Sequence, residues 1–394
     1  MRGLVVRLAL AAGGLVLALV LVELLLPLTL DRGACSGQAP FWRPDAAAGW
    51  SLAPDVVRDA SVCDADGKAL VRHSIAVNAL GLRDRPRTFA RVPGRKRVLV
   101  LGDSYVEAMQ VDLEETFLAR LERTTGAEMI DAGVSGYSTD NELRAFDARD
   151  RRFAPDVVLI VFFVGNDVLE NGARLYLKNA HGLPPKPWVG LGETTQPLAR
   201  CFAVARAAAH VADVMPGFVW QTSRVVRWTL TGGVAAALQK ACGDAAGPSL
   251  VPGRPELFGV YGPPETAAWE EAWTATEANL TSLVARVRET GAAVGVVLAP
   301  WHVEYDPRSV LHMLFPRSGG RTWDFDYPYE RLEPVLTRLQ VPWMSLTPAF
   351  AAHFRATGRP GAYEWDGHWD ADGHAVVATA LDPFVTRLLA TTSR

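Results

Sequence analysis

The sequence predicts an α/β fold of the doubly wound kind, with a mostly parallel sheet covered by helices on both faces. Short, almost wholly apolar runs recur at Arg97–Leu101, Val157–Val164 and Ala293–Leu298. Helix-like patterns separate them. The first two runs end at glycines, Gly102 and Gly165. Strands apolar on both sides belong in a sheet buried on both faces. Their alternation with helices argues for parallel pairing through crossovers.

Each element follows in order. Arg97–Leu101 is the first strand, and a helical pattern runs from it to about Arg123. Glu128–Asp131 is a second, weaker strand, and Asn141–Ala148 has helical spacing. Val157–Val164 (VVLIVFFV) is the strongest strand signal, rich in β-branched and aromatic residues. A long amphipathic pattern covers Ala268–Thr290. Ala293–Leu298 and Val341–Leu346 are two further strands, and a final helix runs from about His374 to Ala390. In such sheets ligands bind beyond the carboxyl ends of the strands.

The chain divides into four parts. Residues 1–7 carry Arg2 and Arg7. Residues 8–30 are nearly all apolar, marred by Glu23 and Pro27. As a helix this run reaches about 35 Å, enough for a hydrocarbon core of roughly 30 Å. The positive-inside rule puts the N-terminus in the cytoplasm and everything after Leu30 across the membrane. This is the expectation of a single-pass inner-membrane anchor with a periplasmic or otherwise extracytoplasmic domain. A cleavable signal peptide is the rival, but its h-region would be long and no good small-x-small site follows. Residues 31–94, rich in Pro, Gly, Asp and Arg, read as a stalk and irregular segment. Residues 95–394 form the main domain, and 171–265 interrupts its rhythm as an insertion.

Of 394 residues, 49% are hydrophobic and the net charge is −3, so disorder and a nucleic-acid partner both lack support. Four cysteines follow the apolar run: Cys35, Cys63, Cys201 and Cys242. An even count outside the cytoplasm permits two disulfides, with Cys35–Cys63 and Cys201–Cys242 the simplest pairing. None lies in a metal-ligand spacing, so no metal site is expected.

Four short motifs fall at strand ends. Gly102-Asp103-Ser104-Tyr105 follows the first strand, where a serine at a sharp strand-to-helix turn exposes its hydroxyl beside backbone N–H groups. Gly133-Val134-Ser135-Gly136 follows the second, where glycine lets backbone approach a ligand. Gly165-Asn166-Asp167 follows the strongest strand and offers a carboxamide donor. Trp365-Asp366-Gly367-His368-Trp369 precedes the last helix and pairs a histidine with a carboxylate. Each is weak alone. Trp301-His302, after another strand, is a candidate for lining a pocket. Glu107 and Gln110 could face substrate or simply lie on a helix surface.

Taken in this order, the four motifs resemble the SGNH (GDSL-like) hydrolase family, over roughly residues 96–170 and 290–390. The resemblance implies a flavodoxin-like sandwich and serine esterase or acyltransferase chemistry without metal or cofactor. It implies Ser104 as nucleophile and His368 as base. It implies an oxyanion hole of the Ser104 N–H, the Gly136 N–H (Gly133 being the alternative) and the Asn166 side chain. The usual family spacing is Asp-x-x-His, which would place the acid at Trp365. Asp366 is the nearest carboxylate and gives Asp-x-His, a spacing similar to that of membrane-linked polysaccharide O-acetylation proteins of the alginate type. Glu364, Asp370 and an acid-less dyad remain open. The implied substrate is an acyl ester, with an envelope polysaccharide as its candidate carrier; hydrolysis, acyl transfer to a sugar, and a non-catalytic glycan-binding or scaffold role are the competing outcomes.

Overall fold

The computed structural model describes residues 14, 17, 18, 21, 41–63, 68–172, 175, 223, 256–309, 323–363 and 367–392. The apolar run 8–30 lies outside these apart from four helical positions, as do Cys35, Cys201, Cys242 and most of the insertion. The expected anchor and disulfides therefore fall outside the described residues. Among these residues no helix is long and apolar enough to cross a membrane.

Five parallel strands form the central sheet: β5 (Arg97–Leu101), β6 (Glu128–Asp131), β7 (Val157–Phe163), β8 (Ala293–Ala299) and β9 (Trp343–Ser345). Their spatial order is β6-β5-β7-β8-β9. Renumbered within the sheet this is 2-1-3-4-5, a doubly wound order whose switch point lies between the first and third strands. β5 and β7 are buried along their whole lengths, as their apolar sequences require. The last strand is shorter than Val341–Leu346, because only three of those residues pair with β8.

Among the described residues the α-helices longer than three residues are α1 (Ser104–Glu107), α2 (Phe117–Thr125), α3 (Thr139–Ala148), α4 (Asp167–Asn171), α5 (Ala267–Glu289), α6 (Tyr327–Arg338), α7 (Thr347–Thr357) and α8 (Ala371–Ala390). α8 packs on α2, α7 and β8, while α5 packs on α3, α4 and β8. The helix expected from Asn141 begins two residues earlier, because Ser138 and Asn141 cap it reciprocally. The helix expected from His374 begins at Ala371, where the Asp370 side chain accepts the Gly373 N–H at 2.8 Å.

Residues 31–94 were expected to be irregular. The structure instead places two antiparallel hairpins there: β1 (Trp42–Asp45) with β2 (Gly49–Leu52), and β3 (Val56–Cys63) with β4 (Ala69–Val77). Phe41, Leu52, Val56, Ile75 and Val77 give them a small core of their own, against which Met109 packs. Asp55, Asp59 and Arg72 are exposed, whereas Arg83 and Asp84 are buried, Arg83 donating to the Glu107 carbonyl at 3.1 Å and Asp84 accepting the Asp131 N–H at 3.2 Å. Because the sheet strands are parallel and aligned, Leu101, Asp131, Phe163 and Ala299 all end at one edge.

Candidate active site

The site is built at that edge. Asp103 caps α1, its carboxylate accepting the Tyr105 N–H at 2.9 Å. This fixes the turn and makes Ser104 the first helical residue. Its N–H, one of the donors a helix start leaves without an intrahelical acceptor, has no partner among the described residues. Ser104 Oγ lies 2.7 Å from His368 Nε2, across 264 residues of chain. That is hydrogen-bond distance between a hydroxyl and the ring nitrogen able to take its proton.

His368 rides on a tight loop. The Tyr363 N–H donates to the His368 carbonyl at 2.9 Å, and the Gly367 N–H donates to the Tyr363 carbonyl at 2.7 Å. A bridge between Ala362 and Trp369 closes the base of the loop. The Tyr105 hydroxyl donates to the Gly367 carbonyl at 2.9 Å, and the Tyr105 and His368 rings lie 5.0 Å apart. Trp369, fully buried, stacks on Phe350 at 5.5 Å and meets Tyr105 edge-on.

Gly133 and Gly136 separate into different duties. A Cβ on Gly133 would lie 2.4 Å from the Glu107 backbone nitrogen, so this glycine lets the loop pass directly against α1. Its own N–H is used by Asp131 at 2.9 Å. Gly136 has φ +75°, the third position of a turn closed by Tyr137 N–H to Val134 carbonyl at 3.0 Å. Its N–H has no partner among the described residues. Of the two, only Gly136 keeps a donor for a ligand. Asn166 sits after β7 as expected, and its carboxamide is 3.4 Å from Glu170. Behind it the Asp167 carboxylate accepts the Phe163 N–H at 2.9 Å and turns the strand end back.

Buried carboxyl groups lie close to Ser104. Desolvation pushes Asp103 up to about 6, and the charge of His368 pulls it back. Desolvation, with the nearby Asp103 charge, holds Asp167 well above the usual carboxylate range. Glu107 is fully buried and does not face substrate. Its carboxylate accepts the Ser135 N–H at 3.0 Å, the Ser135 hydroxyl and the Trp42 indole N–H at 3.2 Å. Burial raises it to about 7, against the pull of these donors and of Arg83.

Several expectations resolve differently. Trp301 and His302, the candidates for lining a pocket, are both buried. Trp301 stacks on Phe258 at 5.0 Å, and His302 Nδ1 lies 2.7 Å from Ser309 Oγ. Both adjoin Gly367, so they back the His368 loop. Burial lowers His302 to about 4. His374 accepts the Phe117 N–H at 3.3 Å and stacks on that ring, and burial lowers it to about 3. Asp370 is the cap of α8. Asp366 and Glu364, the other candidate acids, lie outside the described residues. Tyr105 and Glu107 are the contributors that local pattern did not reveal, since their partners are remote in sequence. Among the described residues no cluster of side chains could hold a metal ion.

No protein-family model matches the chain, and no curated protein matches it. Among solved structures it is similar to an acetyl xylan esterase at 12% identity and a TM-score of 0.39, over 73% of this chain and 99% of that one. It is also similar to a lipolytic protein of the G-D-S-L family from Desulfitobacterium hafniense, at 9% identity and a TM-score of 0.37, over 75% and 99%. A third is a catalytic mutant of an acetylxylan esterase from Geobacillus stearothermophilus, at 13% identity and a TM-score of 0.35, over 76% and 96%.

Proposed function

We propose that this chain is a serine-dependent ester hydrolase of the SGNH type, acting through an acyl-enzyme on Ser104. The observation that carries the reading is the 2.7 Å contact between Ser104 Oγ and His368 Nε2 at the carboxyl edge of a parallel sheet. His368 Nε2 takes the hydroxyl proton as Oγ bonds to the ester carbonyl carbon. The oxyanion is received by the Ser104 N–H, the Gly136 N–H and the Asn166 carboxamide. His368 then passes the proton to the departing alcohol. Water, deprotonated by the same nitrogen, releases the acid and restores Ser104. Asp366 is the proposed orienting acid for His368.

The substrate class is an acyl ester, an acetyl group on an envelope polysaccharide being the preferred form. The second reading is an O-acetyltransferase, in which a sugar hydroxyl replaces water. The Asp366-x-His368 spacing favours it, together with the 8–30 apolar run, which fits a membrane-anchored protein working outside the cytoplasm. The two readings share every residue and differ only in the acceptor.

The full chain, purified in detergent, is assayed with p-nitrophenyl acetate and labelled with a fluorophosphonate, beside Ser104→Ala. Nitrophenol release and labelling that both require Ser104 support the reading. Acetyl found on an added bare glycan moves the assignment to a transferase. Turnover unchanged in Ser104→Ala, or neither turnover nor adduct in the unmodified chain, ends it in favour of a non-catalytic binding protein.

A further inference from the structure

The turn that carries Gly136 is pinned at almost every polar group. The Val134 N–H donates to the Gly102 carbonyl at 3.1 Å, and the Val134 carbonyl accepts Tyr137 N–H. The Ser135 N–H and hydroxyl go to Glu107, and the Ser135 carbonyl accepts the Trp50 indole N–H at 2.9 Å. The Tyr137 hydroxyl donates to the Trp50 carbonyl. The Gly136 N–H is the donor this arrangement leaves over.

Two of those pins come from the first hairpin. Trp50 holds the turn directly, and Trp42 reaches Glu107. Asn141, at the start of α3, donates to the Ala48 carbonyl at 2.9 Å and fixes the tip of the same hairpin. Glu107 is the meeting point. It stands three residues after Ser104 on the same short helix, and one carboxylate takes donors from the Gly136 turn and from β1. A buried carboxylate gathering three donors holds its partners in one geometry, and none of them has an alternative acceptor in the contacts described.

We infer that Glu107 is a positioning residue for the oxyanion hole, and that the β1–β2 hairpin is a working part of that hole. Through Ser135 it fixes the distance between the Gly136 N–H and Ser104, and through Trp42 it makes that distance depend on the hairpin. The segment that leads toward the N-terminal apolar run is thereby built into the site. The inference rests on Ser104 being the acyl-transfer nucleophile. It adds a residue that touches neither substrate nor reacting atoms.

The test uses the full chain with Glu107→Gln and Trp42→Phe. Glutamine keeps the size but turns an N–H₂ toward one of the donors, and phenylalanine removes only the indole N–H. Rates are measured on p-nitrophenyl acetate and on the matching thionoester. A hole shaped for oxygen discriminates strongly against sulfur, and a loosened hole loses that discrimination. The expected result is a kcat lower by roughly tenfold to a hundredfold in Glu107→Gln and by several-fold in Trp42→Phe, with KM little changed, and a shrunken ester-to-thionoester ratio in both. A purely structural role would lower the folded fraction and leave the ratio as it was. If Glu107→Gln does not fold, Trp42→Phe decides alone. Variants that keep kcat within about twofold, or keep the ratio, overturn the inference while Ser104-dependent turnover of the unmodified chain stands. Absence of that turnover removes the underlying reading instead.

Discussion

The Tyr105 hydroxyl donates to the Gly367 carbonyl at 2.9 Å, joining the residue after Ser104 to the residue before His368. Ser104 and His368 are 264 residues apart, and their contact depends on two loops keeping register. Tyr105 supplies that register from within α1, with its ring against His368, Trp369 and Phe163.

Tyr105→Phe keeps the ring and removes the tie. The Gly367 carbonyl loses a buried donor, which costs about 1 kcal/mol of stability. The larger effect is on rate, because a loop free to shift by a fraction of an ångström spoils proton transfer. We expect kcat to fall about tenfold with the folded state intact, read by steady-state kinetics beside urea unfolding. A variant with unchanged kcat shows that packing alone sets the loop.

Gly133 and Gly136 predict different failures. A methyl on Gly133 meets backbone at 2.4 Å, and backbone cannot rotate away. Gly133→Ala is expected to cost about 2–3 kcal/mol and to depress kcat by forcing α1 and the turn apart. Gly136→Ala places a side chain at φ +75°, a strain worth about 1 kcal/mol. Urea midpoints that rank the two the other way contradict the close approach.

The sheet was legible because its strands are short and apolar on both faces, as at Val98–Leu101 and Val157–Phe163, each ended by a turn. The first two hairpins were not read, although one signal was present. In β4 the inward positions alternate as Val71, His73, Ile75 and Val77, and His73 breaks the apolar rhythm because it turns inward to meet Asp112 at 2.9 Å. The motifs holding Ser104, Gly136 and Asn166 stand out because each follows a strand end, but their roles rest on the family resemblance and not on that spacing. The work of Tyr105 and Glu107 could not be read, since it consists of contacts with Gly367 and Trp42, and sequence spacing carries no information about those. Trp301 and His302 were placed near the site by the same signal, but a strand end does not say which way a side chain turns.

Burial of His374 makes a signed pH prediction. Its folded pKa is lowered to about 3, first by desolvation and then by the charges of Arg83, Arg120 and His368. The unfolded chain binds this proton below about 6.5 and the folded chain does not, so the residue withdraws stability as pH falls through 6.5 toward 3. At pH 4 the loss is on the order of 3 kcal/mol. Glu107 and Glu304, raised by burial to about 7, act in the opposite sense, so the measurement is the difference between the unmodified chain and His374→Phe. We expect the variant to be less stable by about 1 kcal/mol at pH 7, from the lost acceptor for the Phe117 N–H. It becomes the more stable protein near pH 4. Parallel stability curves across that window show that His374 takes up its proton inside the fold.

The two aspartates nearest His368 in sequence are expected to differ in function. Asp370 is committed to α8, its Oδ1 held by the Gly373 N–H at 2.8 Å, and burial raises its carboxyl. Asp370→Ala therefore costs about 1 kcal/mol, as loss of a helix cap does, and leaves kcat nearly unchanged. Asp366 stands two residues before His368, and we assign it the orienting role. Asp366→Asn would leave the imidazole without a carboxylate to fix its tautomer and balance its charge. The expected loss in kcat is on the order of 10³–10⁴, with KM unaffected and thermal stability within about 1 kcal/mol. The pair of variants is read together. Activity that follows Asp370 and ignores Asp366 reverses the assignment, and activity that survives both leaves a Ser104–His368 dyad held by the loop and Tyr105 alone.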